Sequence, residues 1–165
     1  MRWNTPATSA KEELLFAANE MRQCTNEGLV AKNAPLMCIV INIPKLYGAD
    51  HALTTSQRQS SVNLILEACH HAKQSGFIKS YHFTSSAASS LRAFGANKEC
   101  IQLVRTLLPS SSDESSNTKQ KCNHRIAMEE GIYAAFDEKD EESLQLITDV
   151  YEKSGFDSSR LFDML

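Results

Sequence analysis

The chain has 165 residues, of which 42% are hydrophobic and 22% are charged, and its formal net charge at pH 7 is −3. These values are typical of a globular protein with a buried core, and we expect one domain over 1–165. The weakly acidic balance argues against a surface built wholly for nucleic acid, which would carry an excess of Lys and Arg. No apolar run approaches the length of about 18 residues that a membrane span needs, so we expect no membrane contact.

The cysteines and the N-terminus bear on location. Five cysteines are present, and no two of them have C-x-x-C spacing. An odd number without such a pair favours reduced thiols inside a cell. The N-terminus has no apolar signal region. We therefore expect a cytoplasmic or nuclear protein, or one in the cytosol of a host if the source is a pathogen.

The first third of the chain predicts a tail, a helix and a strand. We expect residues 1–8 to form a flexible tail, and a capping-box pattern followed by helical spacing predicts a helix at about 9–24. The most apolar run is Pro35–Leu46, which is β-branched at its centre and bounded by turn residues. Such a run is typical of a strand buried on both faces, here at about 36–43.

The middle of the chain predicts a helix, two strands and a short helix between them. Apolar residues at i, i+3, i+4 and i+7 from Val62 indicate an amphipathic helix that ends at Ser75-Gly76-Phe77. By content, Ile78–Thr84 predicts a strand. A short helix follows within Ser85–Ala96, and Ile101–Leu108 alternates as a third strand.

The last third predicts a loop and two helices. Residues 110–120 contain no large apolar side chain, which predicts a mobile polar loop. Helices are expected at 126–136 and 143–154, separated by an acidic break at 137–142. The second helix ends at Ser154-Gly155-Phe156, which echoes the end signal at residues 75–77, and no longer repeat is visible.

Strands that alternate with helices predict an α/β fold with three layers. Its mainly parallel sheet would be flanked by helices in a Rossmann-like arrangement. Sites in such sheets form beyond the carboxyl ends of the strands. That rule places candidate chemistry at 42–50, 84–90 and 109–124.

Several polar residues in these regions allow more than one interpretation. Asn42, Lys45, Tyr47 and Asp50 lie at or just past the end of the central strand, where they either bind a ligand or hydrogen-bond their own backbone in a turn. The serines around residues 85–90 suit either an anion at a helix N-terminus or helix capping.

The histidines suggest two kinds of chemistry. Cys69, His70 and His71 are adjacent on a predicted helix and point about 100° apart, so they cannot chelate one ion together. His82 and His124 are the histidines best placed for a Cys/His nucleophilic pair, although no cysteine lies in a nucleophile signature.

Three segments resemble motifs of the NYN-type ribonucleases, a family with a PIN-like fold. Ile41–Ala49 is similar to the family's opening motif, a strand that ends in Asp-Gly-x-Asn before Leu-Tyr-Gly. Asn123–Glu129 is similar to the family's Asp-x5-Asp helix start, and Leu144–Asp149 falls where the family has a strand ending in Ser-Gly-Asp. The resemblance implies a PIN-like α/β domain whose acidic cluster holds Mg²⁺ or Mn²⁺ for phosphodiester cleavage.

The residues at the family's acidic positions depart from its pattern. They are Asn42, Asn123, Glu129 and Asp149, with Lys45 where Asn is usual. Mg²⁺ needs anionic oxygen ligands, and two of the expected carboxylates are amides here. A nearby Lys45 opposes a cation by about a kcal/mol or more. We therefore expect no bound metal and no other cofactor.

These observations predict a non-catalytic binding or regulatory protein with a decayed PIN-like metal site. Its binding residues would be Asn42, Lys45, Tyr47, Asn123 and His124. The acidic balance favours a protein partner over RNA. One alternative is a metal-dependent endoribonuclease that uses Glu129 and Asp149, and a second is a cysteine-dependent effector enzyme.

Overall fold

The computed structural model describes residues 55–76, 80–109 and 124–163, and the chain divides into two compact units, Met1–Ile78 and Lys79–Leu165. In the first unit the described element is helix α1, Thr55–Ser75. The second unit contains five described helices, which are α2 (Tyr81–Ala93), α3 (Asn97–Leu107), α4 (Arg125–Glu138), α5 (Glu141–Lys153) and α6 (Ser159–Asp163).

The predicted α/β fold is wrong, because the described ranges contain helices and no strand. The PIN-like layout falls with it. Two of the three expected strands meet described residues, and both are helical there: residues 81–84 open α2, and residues 101–107 belong to α3. The expected helix at 9–24, the central strand at 36–43 and the loop at 110–120 lie outside the described residues.

The periodicity of α3 explains one of these errors. Its buried residues are Cys100, Ile101, Leu103 and Val104, and Arg105 is exposed. An alternating strand would have paired residues 101, 103, 105 and 107 on one face, which places a charged side chain in the core. Steps of three and four residues bury the apolar set on one helical face instead.

Several predicted helices are confirmed. The helix through Val62 and Ile65 is α1, with Gly76 at a φ of +77° directly after it. The helices expected at 126–136 and 143–154 are α4 and α5. The expected acidic break at 137–142 is shorter than predicted, because only residues 139–140 separate α4 from α5.

The second unit is built from two helical hairpins. The first hairpin is α2 and α3, joined by residues 94–96, and the second hairpin is α4 and α5. Connections this short make the joined helices antiparallel neighbours. Helix α4 packs against α2, α3 and α5, and α3 also contacts α5. Helical hairpins packed in this way occur both in helical bundles and in helical-repeat proteins.

The first helices of the two hairpins, α2 and α4, bury equivalent positions at a spacing of 44 residues. Helix α2 buries Phe83, Thr84, Ala87, Ala88, Ser90 and Leu91, and α4 buries the six residues 44 positions later, Ala127, Met128, Gly131, Ile132, Ala134 and Ala135. This structural repeat was not expected from the sequence. Only the pattern of burial repeats, not the residue types, and this is why the sequence did not reveal it.

Both helices also end in the same way. After α2, the Gly95 amide donates to the Arg92 carbonyl and the Ala96 amide to the Leu91 carbonyl, each at 2.9 Å. These two bonds form a Schellman motif, which requires a left-handed residue. After α4 the same two bonds form 44 residues later, but the left-handed residue is Lys139, at a φ of 57°.

The hairpins approach most closely where α3 meets α4. A Cβ atom placed on Gly131 would lie 2.9 Å from Val104 Cγ1 and 3.0 Å from Val104 Cβ. Val104 is fully buried. The absence of a side chain at Gly131 therefore sets the distance between the two helices. Among the helices in the described ranges, none has the length and hydropathy to cross a membrane.

Candidate interaction surface on the second hairpin

The structure describes three of the residues predicted for the site. Glu129 lies on α4, Asp149 lies on α5, and His124 is the N-cap residue of α4. The other four, Asn42, Lys45, Tyr47 and Asn123, lie outside the described residues.

Glu129 has a structural role within the second hairpin. Its Oε1 atom accepts a hydrogen bond from the Tyr151 hydroxyl at 2.7 Å and another from Arg125 Nε at 3.0 Å. The Arg125 guanidinium lies 5.6 Å above the ring of Phe156, which in turn contacts the ring of Tyr151. Burial, and then the bond to Glu129, raises the pKa of Tyr151. Glu129 thus ties the start of α4 to the end of α5.

Asp149 is in a different environment. Its Oδ1 atom accepts a hydrogen bond from Gln145 Nε2 at 2.8 Å, one turn earlier on α5. The segment Leu144–Asp149, which resembled a strand motif, lies within this helix. No group of three or more His, Cys, Asp or Glu side chains in the described part of the chain is placed to hold a metal ion. The structure therefore does not bring Glu129 and Asp149 into a metal cluster.

The two cysteines that the structure describes are poor nucleophiles. Cys69 and Cys100 are both buried, and burial raises the pKa of each thiol to about 12. A thiol with such a pKa stays protonated at neutral pH, whereas the nucleophile is the thiolate. His82 lies on α2, where its ring stacks on Tyr81 at 3.9 Å.

Two arginines of the first hairpin hold carboxylates of the second. Arg92 Nη1 lies 3.1 Å from Glu130 Oε2, and its guanidinium stacks on the Tyr133 ring at 5.0 Å. Arg105 donates to Glu142 Oε1 at 3.3 Å and to the Ser143 hydroxyl at 3.2 Å. Sequence reasoning missed both arginines, because their partners lie about 40 residues away and become neighbours only in the stacked hairpins.

The charges of the two hairpins are opposite in sign. The first hairpin, with its flanking residues 80–109, has three basic residues and one acidic residue, whereas residues 124–153 have nine acidic and three basic. This excess remains after the two arginine contacts are formed. The second hairpin is therefore an acidic surface on a chain of nearly balanced charge, and it attracts basic groups and repels phosphates.

One face of α5 combines this acidity with an exposed apolar side chain. Positions spaced three and four apart share a helix face, and we call the set Glu142, Gln145, Leu146, Asp149 and Glu152 the outer face of α5. Leu146 is 39% exposed on this face, while Ile147 and Tyr151 on the opposite face are buried. The signal was present in the sequence, since Leu146 falls outside the apolar stripe of Leu144, Ile147 and Tyr151.

No protein-family model matches the chain, and comparisons with curated proteins and with solved structures likewise give no match.

Proposed function

We propose that the chain is a non-catalytic binding protein, in which stacked helical hairpins present the outer face of α5 to a partner protein. The observation that carries the proposal is the exposed Leu146 among carboxylates on a helix whose opposite face is fixed in a core. Stacked hairpins supply extended rigid surfaces of this kind. An apolar anchor inside a charged rim is the usual composition of a protein-binding site.

Charge and thiol chemistry support the choice of partner and location. A surface with nine acidic residues repels the phosphate backbone, so a protein with basic groups is a better partner for it than RNA. Cys69 and Cys100 are free thiols. Free buried thiols suit the reducing interior of a cell, and we place the protein in the cytoplasm or nucleus.

The test compares the wild-type chain with Leu146→Asp, and with Phe162→Asp as a matched control, since Phe162 is 44% exposed on α6. Each protein is immobilised and used to capture partners from lysate, with and without ribonuclease, and the affinity of a captured protein is then measured. We expect capture that survives ribonuclease and is weakened at least tenfold by Leu146→Asp alone, about 1.4 kcal/mol.

Two outcomes would contradict the proposal. Loss of all captured material after ribonuclease treatment would identify RNA as the ligand. Equal binding by the wild type and Leu146→Asp would remove the outer face of α5 from the interface.

The metal-dependent ribonuclease is tested separately. We expect Mg²⁺ or Mn²⁺ at millimolar concentration to leave the melting temperature unchanged. A rise of several degrees that Asp149→Ala abolishes would favour the nuclease, because a ligand that binds only the folded state stabilises it.

A further inference from the structure

A side-chain contact joins the first turn of α2 to the start of α4. Thr84 of α2 is fully buried, and its Oγ1 atom lies 2.8 Å from Nδ1 of His124. The same hydroxyl lies 3.1 Å from the Tyr81 carbonyl. The carbonyl of His124 accepts the first hydrogen bond of α4, from the Met128 amide at 2.9 Å. His124 therefore belongs both to the contact between the hairpins and to the start of α4.

The surroundings of His124 oppose a positive charge on its ring. The ring is partly buried, and burial lowers the pKa of His124. The first turn of α4 contains no acidic residue, and Arg125 follows directly. The N-terminus of a helix is the positive end of its dipole, so a second cation there is unfavourable.

Among the residues that the structure describes on α2 and α4, the other titratable groups near His124 do not compensate this charge. On α2 they are Tyr81 and His82, whose rings stack on each other. On α4 the nearest carboxylate in sequence is Glu129, and its Oε1 atom already accepts bonds from Arg125 and Tyr151.

We propose that His124 is a proton-sensitive joint between the two hairpins, and this device goes beyond the proposed binding function. The neutral imidazole accepts the proton of the Thr84 hydroxyl and holds the start of α4 against α2. The imidazolium donates at Nδ1 instead, and the hydroxyl then turns its proton to the Tyr81 carbonyl. The hydrogen bond between Thr84 and His124 is thus kept with its direction reversed. Acid weakens the contact between the hairpins because the imidazolium charge is unfavourable at the positive end of α4, next to Arg125.

The sign of the pH dependence follows from the lowered pKa. The unfolded chain binds the proton more readily than the folded one, so the contribution of His124 to stability is complete above pH 6.5. It is lost as the pH falls from there towards the lower pKa of the folded state. Each unit between the two pKa values changes the unfolding equilibrium constant tenfold.

The test uses His124→Gln, which keeps a polar group but cannot titrate, with His82→Gln as the matched control on the exposed side of α2. Thermal unfolding is recorded from pH 8 to pH 5, together with hydrogen exchange at the Met128 amide. Below pH 6.5 we expect the wild type and His82→Gln to unfold at a lower temperature and to exchange the Met128 amide proton faster. Both changes should be smaller in His124→Gln.

Two results would overturn the proposal. One is a set of parallel pH profiles for the wild type and His124→Gln. The other is an NMR titration of the wild type in which the His124 ring has a pKa at or above 6.5. This second measurement needs no variant, so it decides the matter even if His124→Gln fails to fold.

Discussion

Replacing Gly131 by alanine sets helix propensity against packing at the closest approach of the two hairpins. In an unhindered helix interior the change would stabilise the protein by about 1 kcal/mol. Here the new methyl group would lie 2.9 Å from Val104 Cγ1 and 3.0 Å from Val104 Cβ. No rotation of the Val104 side chain moves its Cβ, so the backbones of α3 and α4 must separate.

The magnitude follows from the two opposing effects. Overpacking a rigid core costs about 1–3 kcal/mol, and the contact with a Cβ atom points to the upper end. Subtracting the gain in propensity leaves a net destabilisation of about 2 kcal/mol. For a unit of this size that is a fall in melting temperature of roughly 10 °C. Thermal and urea unfolding of Gly131→Ala measure both quantities.

A double-mutant cycle identifies the cause. Val104→Ala removes the two Cγ atoms that meet the new methyl group, and alone it should destabilise a fully buried site by roughly 2 kcal/mol. Combined with Gly131→Ala, the loss should be smaller than the sum by about 1 kcal/mol. The reasoning is refuted if Gly131→Ala alone stabilises the protein, because α3 and α4 would then not approach as closely as described.

Three further changes test the ends and the centre of the second hairpin. Lys139→Gly relieves a left-handed backbone position and should stabilise the protein by about 0.5–1 kcal/mol, measured by urea unfolding. Asp140→Ala removes the carboxylate that accepts from the Ser143 amide, and its melting temperature should fall at neutral pH while Asp140→Asn falls less. Because hydrogen bonds from the Ser143 side chain and then from its amide lower the pKa of Asp140, the deficit should be present above pH 4 and vanish as the pH drops through the lowered pKa. Tyr151→Phe removes a donor from the partly buried Glu129 carboxylate and should cost about 1–2 kcal/mol, and an unchanged stability would mean that water replaces the hydroxyl.

Helices with a single apolar stripe were predictable from the sequence, and short mixed segments were not. The helix at 143–154 has consistent apolar spacing and the end signal Ser154-Gly155-Phe156, so local rules were sufficient there. Residues 81–84 combine aromatic and β-branched types that favour strands, yet they open α2. Their conformation is decided by packing on the rest of the hairpin, since Phe83 and Thr84 are fully buried.

The contacts of the candidate site residues could not be predicted from the sequence. Glu129 and Asp149 were selected because they aligned with motifs of an α/β family. In the structure Glu129 is hydrogen-bonded to Arg125 and Tyr151, and Asp149 to Gln145. Arg92 and Arg105 acquire their partners only when the hairpins stack. Their role depends on contacts between residues far apart in sequence, and periodicity carries no information about such contacts.

Helix α4 lies against three neighbouring helices. The free energy gained by burying its core residues therefore depends on both hairpins being folded. Met128, Ile132 and Ala135 are fully buried, and neither hairpin alone could shield them from solvent. Unfolding of α2 and α3 would expose one side of α4 to water and weaken α5 through it. The two hairpins should therefore melt as one cooperative unit, and the slowest amide protons to exchange should be those in the middle of α4.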